Sequence, residues 1–450
     1  MKIKWILVSG LMVVAGAAAA SNVAIIDSGV DYRHHDLTAK IWANPVDSTE
    51  NSRDEDSNGQ VDDIRGWNFA ESNNQIIDYQ YLNTFSQDCY LFFEVQGKKL
   101  LGTATPAEQQ WYTDHRNNPD FIKELQKFGN FVHGTHVSGI SSIENVGGKL
   151  IGIKLIPTVQ PGTAELMRGI VFSGEKAANP LVKMLLGMMA SRQTTMLTDV
   201  GKYVATVKAD VANGSFGTSV AAVKPIVAQL VAQFTGAEPT PEDLDEYSIY
   251  FVSEIVKGSQ AFVDASPNTL FVFAAGNDGT DNDVFPTSPA NVKTENTIAV
   301  AATVGVRELA SFSNTGATMV EVAAPGVVIQ STIPGDLYMP LSGTSMAAPF
   351  VTNVASRVKD ANPVLMPAEI KRIIMGTVDV KAYLAGKVKT SGIVNPARAI
   401  QAAALSRTLT INDAINQAKA TVADYVDNTK GGDILSVDDL VAIPLPSPFR

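Results

Sequence analysis

"TLFVFAAGN", residues 269–277, is the stretch whose reading decides the fold. Its apolar residues run without a break from Leu270 to Ala275. A strand wetted on one face alternates polar and apolar residues, whereas an unbroken run means burial on both faces, as inside a parallel sheet. Working outward, "NVAIID" (22–27), "KLIGIKLIP" (149–157), "ADVANGSFG" (209–217), "TIAVAAT" (297–303) and "VEVAAPG" (320–326) read as strands of the same sheet. Helical patterns separate them at 136–143, 194–209 and 219–234. This alternation implies right-handed crossovers and a three-layer α/β fold, a mostly parallel central sheet flanked by helices. Functional residues of such sheets collect beyond the carboxyl ends of the strands. Asp27, Asn213 and Asn277 all fall there.

The chain has 450 residues and 45% hydrophobic content, enough for a sizeable core. Its net charge of −11, with no basic run, argues against a nucleic-acid partner, which would need clustered Lys and Arg. Residues 1–20 read as a signal peptide: Lys2 and Lys4, an apolar stretch from Trp5, then Ala18-x-Ala20 before Ser21. The expected product is secreted or periplasmic, with no stable membrane insertion after cleavage. Cys89 is the only cysteine, so no intramolecular disulfide forms, and it reads as a small core residue. Segments near 72–128, 157–195 and 230–262 look like insertions in a domain spanning 21–405. An extension follows at 406–450, where 410–426 carries an amphipathic pattern.

Ser345 opens a small-residue helix pattern in "SGTSMAAP" (342–349). Alone, such a serine is an N-cap. As a nucleophile it needs a base, an orienting carboxylate and an oxyanion site. Of five histidines, His34 and His35 sit in a charged turn and His115 in a polar insertion. His133 and His136 occur in "HGTHVSG", just before the helical pattern at 136–143. Their spacing would suit zinc, but no HExxH glutamate or third ligand accompanies them. Asp27 ends an apolar strand in "AIIDSGVD", where a carboxylate needs a partner such as an imidazole N–H. An aspartic-protease reading needs a second Asp-[Ser/Thr]-Gly, which the chain lacks. A G-x-S-x-G esterase reading fails because Ala347 holds the last glycine position.

Taken together, "AIIDSGVD", "HGTHVSG", "AAGN" (274–277) and "SGTSMAAP" resemble the signature blocks of the subtilisin-like serine proteases, in that family's order Asp, His, Ser. "VDYRHHDL" (30–37), "VDDIRGWNF" (61–69), "NGSFG" (213–217), "ELASFSNTG" (308–316) and "GIVNPARA" (392–399) extend the resemblance over roughly residues 22–405. It implies a serine endopeptidase acting on protein or peptide substrates through an acyl-enzyme. Ser345 would be the nucleophile, His133 the general base, Asp27 its orienting carboxylate and Asn277 an oxyanion donor. Ser215, Phe216 and Gly217 would pair with an extended substrate, and Ala274, Ala275 and Gly276 would wall the first specificity pocket. No cofactor is required for such chemistry. "DEDSNGQVDD" (54–63) resembles the start of a calcium loop, with Asp54, Asp56, Asn58 and Asp62 as candidate ligands of a structural calcium, although Arg65 stands where the loop's glutamate belongs.

Three local departures from the family's pattern bear on folding and specificity more than on proton transfer: "PFVTN" after the serine helix, "FVHGTH", and "IGIKLIP". Only Ser21 to Ile26 separate the expected cleavage from Asp27, which leaves no room for a propeptide between them. The competing expectation is a non-catalytic binding or scaffold protein on the same fold.

Overall fold

The computed structural model describes residues 20–145, 147–160 and 179–426. Its first strand, β1 (Asn22–Asp27), is followed by a short helix α1 (His35–Thr38) and β2 (Gly66–Asn68). Three helices come next, α2 (Gln87–Leu100), α3 (Pro106–Arg116) and α4 (Pro119–Ser141), leading to β3 (Lys149–Lys154). The long helix α5 (Asn179–Thr206), β4 (Val211–Gly214) and β5 (Thr218–Ser219) precede α6 (Val220–Thr235) and α7 (Pro241–Asp264). Then come β6 (Leu270–Ala274), β7 (Thr287–Ser288), β8 (Thr297–Val304), β9 (Glu308–Leu309) and β10 (Val322–Pro325). A hairpin of β11 (Ile329–Ile333) and β12 (Leu337–Leu341) leads into α8 (Thr344–Ala361) and α9 (Pro367–Gly376). The last elements among the described residues are β13 (Asp379–Val380), β14 (Gly392–Ile393), α10 (Pro396–Leu405) and α11 (Ile411–Thr421).

The central sheet has ten strands in the order β13-β14-β10-β8-β6-β4-β1-β3-β2, with β9 paired to β8. Its inner ladders are all parallel: β1 pairs with β3 on one side and β4 on the other, β4 with β6, β6 with β8, and β8 with β10. Only β13 with β14 and β8 with β9 run antiparallel. The six strands expected from sequence are present, each within a few residues of its expected limits.

Alternate residues of the apolar runs serve different layers. Leu270, Val272 and Ala274 join the core beneath α8, with Ala347, Val351, Val354 and Val358. Phe271 and Phe273 face the other side, against Leu197, Val200 and Val204 of α5 and Phe262 of α7. Two further cores belong to the insertions. Phe92, Tyr112, Phe121 and Phe128 pack α2, α3 and α4 onto Val23 and Ile25 of β1. Val182, Leu186, Val227, Leu230, Phe251 and Ile255 bind α5, α6 and α7 together.

The sequence pattern near 136–143 is the last part of a helix that begins at Pro119, so His133 lies inside α4 rather than ahead of it. Asn118 caps that helix through Asp120 N and Phe121 N, Pro119 takes its first turn, and Phe121, Leu125, Phe128 and Val132 form its apolar stripe. Gly129 and Gly134, poor helix formers, hid the continuity. The pattern at 194–209 likewise belongs to α5, described over Asn179–Thr206; residues 161–178 of that insertion lie outside the described residues, as do residues 1–19 of the expected signal peptide. The extension docks on the core beneath α8: Ala414, Ile415 and Ala418 of α11 are buried there. Arg398 then holds the carbonyl of Val422 and the carboxylate of Asp424. Among the described residues, no helix is long and apolar enough to cross a membrane.

Candidate active site

In sheet order, the sequence runs down one side of β1 and up the other, so β1 and β4 meet where strand order reverses. That is where an open α/β sheet leaves a crevice beyond its strand ends. Asp27 ends β1 and is fully buried. Its Oδ1 accepts from the backbone N–H of Ser28 at 2.7 Å and meets Nδ1 of His133 at 2.7 Å. The imidazole is therefore fixed as the Nδ1–H form toward the acid, with Nε2 left for other chemistry.

Close approach of α4 to the β1 turn makes this bond. Gly134 packs so tightly that a Cβ there would lie 2.2 Å from the Gly29 carbonyl oxygen. The Gly134 N–H donates to Ser28 Oγ at 3.2 Å, and Asp31 N donates to Thr135 Oγ1 at 2.9 Å. His136 has a different task. Its Nε2–H is shared between the carbonyls of Ile329 and Met339, both at 3.0 Å, which pins the β11–β12 hairpin to α4. Complete burial pushes its pKa down to about 3, so it stays neutral.

Ser345 stands in the first turn of α8 and is buried. Its Oγ donates to the Ser215 carbonyl at 3.3 Å, while its own carbonyl accepts from Ser215 Oγ at 3.0 Å. Asn213 Nδ2 donates to Ser215 Oγ at 2.9 Å, and Thr352 of α8 donates to Asn213 Oδ1 at 3.0 Å. The end of β4 is thus bolted to the serine helix. Asn277 is oriented by Thr344, whose N–H and Oγ1 both reach Asn277 Oδ1 at 2.8 Å. Thr344 Oγ1 in turn accepts from Gly276 N at 3.2 Å. With its oxygen committed, the Asn277 amide presents its Nδ2 toward Gly343, beside Ser345.

His133, Asn277 and Ser345 line one small pocket, with Phe93, Asn130, Val132, Leu341 and Met346 as further walls. Ser215, Phe216, Gly217, Ala274, Ala275 and Gly276 continue from the ends of β4 and β6 next to it; all of these are buried. Sequence reasoning did not single out Thr344, Ser28, Thr135 or the walls Phe93 and Asn130. The first three adjoin motif residues and were legible as small polar neighbours. The last two come from the insertion helices and carry no local signal.

The acidic loop gathers a different set of oxygens from the expected one. Asp54 accepts from the N–H groups of Asn58 and Gly59 at 3.0 and 2.9 Å. Asp56 accepts from Asn44 and Asn58 side chains at 3.0 and 3.1 Å. Asp62 turns away, both oxygens on the Ser52 N–H and one on Asn51 N. Its neighbour Asp63 takes the inward place, fully buried, bonded to Asn44, Asn58 and the Tyr203 hydroxyl. Burial pushes the Asp63 carboxyl up. Asp47 is also fully buried, and desolvation with Glu55 and Asp63 nearby raises it to about 6. Its Oδ1 accepts no hydrogen bond among the described residues. Buried Asp47 and Asp63 beside half-buried Asp54, Asp56 and Asn58 offer an all-oxygen donor set, the kind a hard cation takes.

Strand order, the acid–imidazole bond and a serine at a helix start define a recognisable class, and comparison of sequences names it. The chain belongs to the subtilase family, whose sequence model matches residues 19–412. It is similar to Subtilisin-like protease 1 of Plasmodium berghei (strain Anka), 25% identical over 412 residues, covering 88% of this chain and 52% of that protein. Alkaline elastase YaB of Bacillus sp. (strain YaB) is 42% identical over 108 residues, 24% of this chain and 27% of its own. Subtilisin Savinase of Lederbergia lenta is 40% identical over 112 residues, 25% of this chain and 39% of its own. The chain thus spans about half or less of the length of these relatives. Among solved structures, a cold adapted subtilisin-like serine proteinase aligns with 18% identity and a TM-score of 0.44, covering 83% of this chain and 86% of that one.

Proposed function

We propose that the protein is an exported serine endopeptidase. The observation that carries the reading is the 2.7 Å bond between buried Asp27 and His133 in a pocket shared with Ser345 and Asn277. In the reaction, the Ser345 hydroxyl leaves the Ser215 carbonyl, gives its proton to His133 Nε2 and attacks the scissile carbonyl carbon. Asp27 keeps the imidazole in its tautomer and stabilises the imidazolium without taking the proton. The oxyanion forms between Asn277 Nδ2 and the Ser345 N–H, at the positive end of α8. His133 returns the proton to the leaving amine, and water then hydrolyses the acyl-enzyme by the same steps reversed. The substrate's acyl side extends along Ser215–Gly217 as an added strand, its first side chain against Ala274–Gly276.

The acidic loop is proposed to hold a structural calcium, with Asp54, Asp56 and Asn58 joined by Asp47 and Asp63. What supports this is the buried, mutually repelling carboxylates and the partnerless Asp47 oxygen. Asp62 would shape the loop from behind.

Labelling with a fluorophosphonate probe tests the catalytic reading. Expected is a single adduct on Ser345, absent from Ser345→Ala. A well-folded protein that resists the probe would favour the non-catalytic scaffold.

A further inference from the structure

A cleft of about 640 Å³ opens beside the α1 turn, away from the catalytic pocket, and two arginines face it. The Arg65 guanidinium carbon lies 4.6 Å from the Tyr32 ring centroid, and that of Arg33 lies 4.2 Å from the Tyr79 centroid and 5.6 Å from that of Tyr32. Tyr79 is itself held by its hydroxyl, which donates to Asp31 Oδ1 at 2.7 Å. Stacking fixes a guanidinium by its face and leaves its edge N–H donors available. Among the described residues, neither guanidinium has a hydrogen-bond or carboxylate partner.

The acids lining the same cleft do not fill that role. Asp62 spends its oxygens on the Asn51 and Ser52 N–H groups, and Asp78 faces buried Lys154 at 3.4 Å and the Thr158 hydroxyl. Glu50 is exposed and forms no ion pair with either arginine. In a chain of net charge −11, two immobilised and unpaired guanidiniums at one cleft are a recognition feature for carboxylates, which match the arginine fork.

The cleft is linked to the catalytic pocket by one chain of hydrogen bonds. Asn130, a wall of that pocket, donates to the carbonyls of Pro157 and Thr158, and Thr158 donates to Asp78 in the cleft. The chain from Asp27 to Tyr32 spans at most about 18 Å. An extended peptide of roughly six residues therefore reaches from one to the other. We propose that Arg33 and Arg65 form an exosite for acidic residues of the polypeptide substrate, several positions from the scissile bond; this rests on the endopeptidase reading.

The test is binding, not turnover, so it stands apart from the chemistry at Ser345. Two fluorescein-labelled twelve-residue peptides, identical except for Glu-Glu-Glu against Gln-Gln-Gln, are titrated into the Ser345→Ala protein at low salt. The Glu peptide is expected to bind about three- to tenfold more tightly. That advantage shrinks at about 0.5 M salt. It vanishes in Arg33→Gln/Arg65→Gln, whose melting temperature is checked alongside. Arg33→Glu/Arg65→Glu should instead favour a Lys-Lys-Lys peptide, a gain only a folded protein shows. Equal binding of the two peptides, or a preference that survives Arg33→Gln/Arg65→Gln, overturns the proposal. Displacement of the Glu peptide by micromolar succinate would overturn the polypeptide assignment. Failure of the endopeptidase reading would show separately, as absent probe labelling of Ser345 in the unmodified chain.

Discussion

His133 and His136 lie on neighbouring turns of α4 with opposite surroundings. His133 meets a carboxylate, while His136 meets two carbonyls and no acid. Because burial holds His136 near 3 against an ordinary 6.5, the unfolded chain takes up a proton between those values that the folded chain refuses. Stability therefore falls as pH drops through that window, by at most about 1.4 kcal/mol per pH unit from this residue. His136→Gln keeps an amide donor for the carbonyls and should flatten the stability–pH slope between pH 4 and 6.5 by about one proton. Urea unfolding at several pH values reads this directly; an undiminished slope would acquit His136. At the proposed oxyanion site, Asn277→Leu should lower kcat by roughly 10²–10³ with KM little changed. Thr344→Val, which removes one of the two bonds from Thr344 to that amide, should cost about tenfold. A Thr344→Val enzyme with full kcat would mean that the Thr344 hydroxyl is not needed to orient Asn277.

Among elements, α4 and the β1 turn must touch for the acid and base to meet. Gly134→Ala inserts a methyl where the Gly29 carbonyl oxygen would lie 2.2 Å away, a contact with rigid backbone. The helix must back off, at a cost of about 1–3 kcal/mol, and His133 moves with it. Expected is a lower melting temperature together with at least a hundredfold slower probe labelling of Ser345; normal labelling in a destabilised variant would show that the Asp27–His133 bond tolerates the shift. Elements with local signals were legible in the sequence. β6 and β8 announce themselves as unbroken apolar runs, and α6 begins and ends within one residue of its pattern. Helix α3 carries a full capping box, Thr105 with Glu108 behind Pro106, but it sits in a segment read only as an insertion. The forward half of α4 was obscured by Gly129 and Gly134, whose intrinsic cost is offset by tertiary packing of Phe121, Leu125 and Phe128. β11 and β12 were missed because β-hairpins depend on a partner strand, and "STIPGDLYM" places Pro334 and Gly335 where the run would have to continue.

At the scale of the whole molecule, residues far apart in sequence meet because strand order reverses at β1. Asp27, His133, Asn277 and Ser345 were legible as motifs, and Thr344 and Ser28 as their small polar neighbours, but the contacts through which those two act are ones only the fold creates. The acidic loop shows the same limit: spacing pointed to Asp62, which is buried with its oxygens on the Asn51 and Ser52 N–H groups, while its neighbour Asp63 meets Asn44, Asn58 and the Tyr203 hydroxyl. With one cysteine, the chain as the exported protein proposed above must replace disulfides by packing or bound ions, and the proposed calcium joins the 44–63 loop to α5 through Asp63 and Tyr203. Cation binding to the folded state alone stabilises it by about 2.7 kcal/mol at a hundred times the dissociation constant. Chelation should then lower the melting temperature by on the order of 5 °C. Asp47→Asn separates the cation from mere acidity. Without calcium it removes a buried, repelled charge and should raise the melting temperature; with calcium it removes a ligand and should lower the temperature relative to the unmodified protein. A shift of the same sign in both conditions would sink the calcium assignment, because charge relief and ligand loss pull in opposite directions only if a cation sits between these carboxylates.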